Sequence, residues 1–209
     1  MRIFEKKIRS TTLDTARCGA DEDGKDRGKE LLHAAAEEGN IVLVKSLLER
    51  GKDINARNAS DVTPLHKAAY KGNHDVVRLL IERGGVSEVD VRKIFGWTPL
   101  HEASRHGHLE VSRLLVEHGA NVNARLHDNW TPLDLSVIHR YLEIVKLLLK
   151  HGADVHAVNG DGQTPYQTSL ASGYQEITDL LLEHGAAGTN REGSSRSLYD
   201  LSAVSDCSL

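Results

Sequence analysis

The sequence predicts an all-α solenoid, a stack of short helix pairs, and three columns of recurring residues predict it. Thr63, Thr98, Thr131 and Thr164 are separated by 35, 33 and 33 residues, and all four prolines of the 209-residue chain, Pro64, Pro99, Pro132 and Pro165, follow them directly. A glycine column, Gly51, Gly84, Gly119, Gly152 and Gly185, runs at intervals of 33, 35, 33 and 33. Four residues before each of these glycines stands a leucine: Leu47, Leu80, Leu115, Leu148 and Leu181. A period shared by three columns marks internal repeats, and repeats decide the architecture before any single element does.

In chain order, residues 1–28 are polar and mixed in charge, and are expected to be disordered apart from a short helix near FEKKIRS. Five units follow, over 29–61, 62–96, 97–129, 130–162 and 163–187. The first, KELLHAAAEEGN, carries Glu30 and Leu31 where Thr-Pro would stand and reads as a polar capping unit. In the others Thr-Pro opens the first helix: threonine caps free backbone N–H groups, and proline at the first helical position loses no hydrogen bond. Small residues such as Ala68, Ala69, Ala103 and Ser104 let neighbouring helices approach closely, and Gly72, Gly107 and Gly173 end the helix. The second helix, as in DVVRLLIERG and EIVKLLLKHG, has apolar residues at helical spacing, and the glycine column terminates it. Segments rich in Asn, Asp and Gly, such as ANVNARLHDNW and ADVHAVNGDGQ, are extended turns leading to the next Thr-Pro.

Individual units depart from this pattern. The second has two extra residues after Gly84, in GGVSEVDVRKIFGW, which lengthen one turn. The fourth has Asp134 in the histidine column and Arg140 in a glycine column, so its first helix is expected to end less sharply. The fifth, TPYQTSLASGYQ, has Tyr166 and Gln167 in place of the usual leucine and histidine and suits a C-terminal cap. Residues 189–209 form a Ser-rich tail in which SLYDLSAV is expected to be a short cap on the last unit or a peptide ligand.

Helices this short are marginal alone in water, since isolated helices under ~12–15 residues rarely persist. Stacking buries their apolar faces in one continuous core. The segments TPLH (63–66 and 98–101), GHLEVSRLLVEHGANVNAR (107–125) and YLEIVKLLLKHGADVHA (141–157) closely resemble the ankyrin repeat, whose ~33-residue period and TPLHxA signature they share. The resemblance places an ankyrin repeat domain over 29–188 and implies β-turn or hairpin fingers between the helix pairs.

Composition narrows the function. Hydrophobic residues make up 39% and charged residues 27% of the chain, the balance of a soluble folded protein. No apolar run approaches the ~20 residues that span a bilayer, so no membrane partner is expected. A net charge of −4 with no basic stripe argues against nucleic acid. Cys18 and Cys207 stand near opposite ends and form neither a disulfide framework nor a CxxC pair, which fits a reducing intracellular setting, cytoplasmic or nuclear.

The 12 histidines raise metal and catalytic readings. His33, His66 and His101, however, share the TPLH column, and His118, His151 and His184 precede the terminal glycine, where an imidazole bonds the last helical carbonyls. The resemblance gives the TPLH histidine a structural role. In HEASRH (101–106) the histidines are five apart rather than the four a zinc helix needs. His106, His108, His127 and His139 lie outside the columns. The chain has no phosphate loop and no nucleophile elbow, so catalytic residues, metal and cofactors are all read as none.

The resemblance also implies a place for the partner: the turn tips and the exposed face of each first helix, which form the concave surface of a solenoid. Carried onto this sequence, those positions are Tyr70, Lys71, Arg92, Ile94, Phe95, Trp97, Arg105, His106, Arg125, His127, Asp128, Trp130, Ile138 and His139. Phe95, Trp97 and Trp130 are expected as an exposed aromatic cluster flanked by Arg92, Arg105 and Arg125, since Trp, Tyr and Arg dominate interface hot spots. A tryptophan before Thr-Pro also suits packing against the neighbouring turn. Asn55 and Asn123 stand at a turn position that is hydroxylated in some ankyrin-repeat proteins. The resulting expectation is a monomeric, non-catalytic module that binds a protein partner as adaptor, scaffold or inhibitor. The alternative is a substrate-recognition or regulatory subunit of a separate enzyme.

Overall fold

The computed structural model describes residues 27–84 and 89–186. Ten helices alternate along them: α1 (Arg27–Glu38), α2 (Ile41–Glu49), α3 (Pro64–Lys71), α4 (His74–Gly84), α5 (Pro99–His106), α6 (Leu109–Glu117), α7 (Pro132–Ile138), α8 (Leu142–Lys150), α9 (Pro165–Ala171) and α10 (Gln175–Glu183). The odd-numbered helices pack side by side in one layer and the even-numbered ones in a second, each pair closing on itself. One core runs through the stack, from Leu32 and Val44 through Leu65, Leu100, Leu115 and Leu133 to Ile177 and Leu181. Each fully buried leucine contributes about 1.5–3 kcal/mol, so stability is distributed over nearest-neighbour interfaces, as in other solenoids.

Local chemistry sets the boundaries. Thr63, Thr98, Thr131 and Thr164 are extended residues whose hydroxyls accept the N–H three residues on, with proline at the start of the helix. Gly72 (φ 75°) and Gly107 (φ 78°) end α3 and α5 in the left-handed conformation. A side chain at Gly107 would meet the Tyr141 ring at 2.5 Å, and one at Gly72 would meet His108 at the same distance, because the residue before each even helix lies over the preceding unit's glycine. In the fourth unit Arg140 adopts that conformation (φ 60°) and its guanidinium stacks 4.7 Å over the Tyr174 ring. Its helix, α7, stops one residue earlier in the unit than α3 does, at Ile138 with His139 as cap.

Two expectations need adjustment. Gly84 does not terminate its helix: α4 runs through it for 11 residues, where α6 and α8 have nine and stop two residues before Gly119 and Gly152. Residues 85–88, which follow α4 and hold the expected lengthened turn, lie outside the described residues. The first helix starts at Arg27, ahead of the boundary read at 29. The rest of 1–28, with FEKKIRS, and the tail with SLYDLSAV also lie outside the described residues. The fingers are tight turns, and among the described residues none is assigned as a strand.

Candidate functional site

The turns that enter units two to five share one backbone frame. Asn58, Lys93, Leu126 and Asn159 each donate N–H to the carbonyl four residues on, at Val62, Trp97, Trp130 and Gln163, and accept the N–H three residues on through their own carbonyl. Asn58 and Asn159 reinforce the frame with side-chain oxygens that accept two further N–H groups each. The histidine column locks one turn to the next. His66 Nε2 lies 3.0 Å from the Trp97 carbonyl and His101 Nε2 3.4 Å from that of Trp130, while Nδ1 of each accepts from the Thr63 or Thr98 hydroxyl. This geometry holds both rings as the neutral Nε2–H tautomer, and burial pushes both well below the ordinary imidazole value, to about 4. His33 Nε2 reaches the Val62 carbonyl in the same way, at 2.8 Å. His118 and His184 contact the last-turn carbonyls of Leu114 and Leu180.

Between the ends of α3 and α5 and the turn at 93–97 lies a cleft of about 330 Å³ lined by Tyr70, Lys93, Trp97, Glu102, Arg105 and His106. Its floor is an ion pair. Glu102, almost fully buried on α5, meets the ammonium of Lys93, and His106 Nε2 stands 4.0 Å from its other oxygen. Lys93 and Arg105 both lie against the Trp97 ring, at 5.5 and 5.2 Å from its centre. Tyr70 and His106 meet edge to face at 4.5 Å, and Lys71 lies over the Tyr70 ring at 5.1 Å while sharing Glu37 with Lys67. Partial burial lowers the imidazoles of His106 and His139 from their ordinary value.

Above the cleft the turn projects Ile94 and Phe95, which are 42% and 66% exposed. Phe95 sits at φ 63°, ψ 14° and is followed by Gly96, also at positive φ, so two successive left-handed residues form this tip. A bulky side chain in that region is strained. The Phe95 carbonyl accepts from the His127 N–H, and the two rings meet edge to face at 6.3 Å.

The structure thus brings Tyr70, Trp97, Arg105 and His106 to one cleft, with Lys71 at its edge and Ile94, Phe95 and His127 at the adjoining tips. The expected aromatic cluster is not formed: among the described residues no ring contact joins Phe95, Trp97 and Trp130. The left-handed tip directs Phe95 toward His127, whereas Trp97 is held against Lys93, Arg105 and the His101 ring at 6.0 Å. Trp130 is half-buried, and its carbonyl receives His101. Arg92 and Arg125, though exposed, bind turns together. Arg57 donates to the Arg92 carbonyl, Arg92 to the Arg125 carbonyl, and Arg125 pairs with Asp154 at 3.7 Å. Asp128 is exposed at the next tip, and Ile138 and His139 lie at the end of α7, with His139 stacked on Tyr141. Asn123 donates its amide N–H to the Gly152 carbonyl and accepts from Asp154, so it too joins units; Asn55 is half-buried in the equivalent turn.

Sequence reasoning missed Lys93 and Glu102. Lys93 lies in the turn that ends the second unit and Glu102 on the first helix of the third, nine residues apart, and this pairing occurs at no other junction between units. Among the described residues no three His, Cys, Asp or Glu side chains converge on a point that could hold a metal ion. No described helix is long and apolar enough to cross a membrane.

Comparison with known proteins agrees with the repeat architecture. The family model ankyrin repeats (3 copies) matches residues 85–159 and 126–192, and ankyrin repeats (many copies) matches residues 32–81. No curated protein sequence matches the chain. The period, the threonine caps, the histidine locks and both family models agree: this chain belongs to the ankyrin repeat family.

Proposed function

We propose that the chain is a non-catalytic adaptor, scaffold or inhibitor that holds a protein partner on the surface made by its turn tips and the ends of its first helices. Ankyrin repeats are in general protein–protein interaction modules, and the tip at Ile94 and Phe95 is the observation that carries the reading here. Exposure of two large apolar side chains costs solvation, and the left-handed backbone under Phe95 costs strain. Together with the Trp97 and Arg105 stack beside it, the tip supplies the aromatic and guanidinium groups that concentrate binding energy. The module is read as a monomer, and its cysteine usage suits a reducing intracellular setting.

Capture from cell lysate by the full chain, beside an Ile94→Ser/Phe95→Asn variant with unchanged helicity and urea midpoint, tests this reading. Loss of the captured protein in the variant is the expected result. Equal capture by both would remove the tip from the site and move the search to the even-numbered helices.

A further inference from the structure

The cleft is basic on a chain that is acidic overall. Lys93 and Arg105 line it against one carboxylate, Glu102, and beside it Lys71, over the Tyr70 ring, shares Glu37 with Lys67, whereas the whole chain carries −4. Both carboxylates are already engaged by lysines. Arg105 has no acidic partner among the described residues; it is exposed, and its guanidinium carbon lies 5.2 Å from the centre of the Trp97 ring. Arginine held this way stays charged and presents a fork that matches a carboxylate in two hydrogen bonds. Exposed apolar side chains share this surface: Tyr70 in the cleft lining, and Ile94 and Phe95 on the turn between Lys93 and Trp97.

We propose, resting on the protein-binding reading above, that the occupant of this cleft is an acidic peptide segment of the partner, in which Asp or Glu flanks an aromatic or apolar side chain. Arg105 takes a carboxylate, Lys71 takes a second, and the apolar side chain covers Phe95. The cleft's cations are too few and too interleaved with carboxylates for a nucleic-acid backbone, which needs a continuous basic track. Charge complementarity of this kind governs encounter rate and partner choice more than total affinity.

The test uses the full chain and a fluorescein-labelled synthetic peptide that alternates Glu with Tyr, compared with the same peptide carrying Gln for Glu and with oligothymidylate of equal charge. Anisotropy should report binding of the Glu peptide that weakens with added salt, at least about tenfold weaker in Arg105→Glu. Arg105→Met, which keeps the stem on Trp97 without the charge, should lose nearly as much at unchanged urea midpoint. Equal binding of the Glu and Gln peptides, an unaltered affinity in both Arg105 variants, no binding of any peptide, or oligothymidylate matching the Glu peptide would each overturn the proposal. Loss of lysate capture with Ile94→Ser/Phe95→Asn would still stand in those cases, so failure of the acidic occupant is separable from failure of the protein-binding site.

Discussion

The third and fourth repeats share a backbone and differ in what they do with it. Thr98 and Thr131 have the same cap geometry, φ −106° and ψ 164°, and the turns ahead of them make the same pair of backbone hydrogen bonds. Column by column the side chains then part: His101 against Asp134, Glu102 against Leu135, Arg105 against Ile138, Gly107 against Arg140. His101 reaches out of its unit to the Trp130 carbonyl. Asp134 folds back instead, accepting the N–H and O–H of Thr131 on one oxygen, while its other oxygen, Oδ1, is buried with no hydrogen-bond partner among the described residues. The frame therefore needs only the cap, and the seal between units is set separately by the residue in the histidine column.

The largest way to break this comparison is to remove the seal. His101→Ala leaves buried groups of Thr98 and Trp130 unpaired and a cavity beside them, and should cost about 3–4 kcal/mol. Asp134→Ala removes a carboxylate that is itself half-satisfied and should cost about 1 kcal/mol or less. Urea unfolding of the full chain compares them; equal losses would mean that the histidine lock contributes no more than the cap does.

The second contrast is the column after the lock, Glu102 against Leu135. Lys93→Ala strands a buried carboxylate and should cost about 2–3 kcal/mol, whereas Lys67→Ala, which breaks the half-exposed pair with Glu37, should cost under about 1 kcal/mol. Lys93→Met with Glu102→Leu, which copies the apolar choice of the fourth unit, should recover most of the loss. A Lys93→Ala variant as stable as the parent would show that water reaches Glu102.

Acid separates the lock histidines from Asp134 in sign. His66 and His101 have folded values of about 4 against the ordinary 6.5. Between those values the unfolded chain binds protons that the folded chain excludes, so their stabilisation is whole above 6.5 and is lost as pH falls toward 4. Asp134 is raised by burial from 3.8 to about 6. Its penalty is full above 6 and fades as pH falls toward 3.8, because there the folded chain holds the extra proton. Asp134→Asn should therefore gain about 1 kcal/mol at neutral pH and make the loss of stability between 6 and 4 steeper than in the parent. Parallel curves for the two proteins would show that Asp134 does not titrate with folding.

How much of this was legible follows from which features repeat. The caps, the glycine that yields to Tyr141 and the structural histidines recur every 33 or 35 residues, and a recurring residue is visible without coordinates. Arg92 and Arg125 recur with Arg57 as well, and that period was the sign that they tie turns together as well as face solvent. Lys93 with Glu102 could not be read from a column, because the pair occurs once and joins the turn that ends the second unit to the first helix of the third. The left-handed Arg140 was hidden for a related reason: its glycine-like backbone is held by a stack on Tyr174 that belongs to the next unit.

The smallest expected effect is the one nearest to function. At the tip of the turn that enters the third repeat Phe95 and Gly96 are both at positive φ, while in the turn that enters the fourth only Asn129 is, at φ 62°. Phe95 keeps its conformation at a cost, with two-thirds of its surface in water and one ring contact to His127. Asparagine accepts the left-handed region far more readily, so Phe95→Asn should stabilise the chain by about 0.5 kcal/mol, read as a small upward shift of the urea midpoint. The same substitution is part of the variant expected to lose its partner. A gain in stability joined to a loss of capture would show that the turn entering the third repeat holds this strained aromatic for recognition; a destabilised Phe95→Asn would instead make the ring a packing element of the stack, and the two tips would then differ only in sequence.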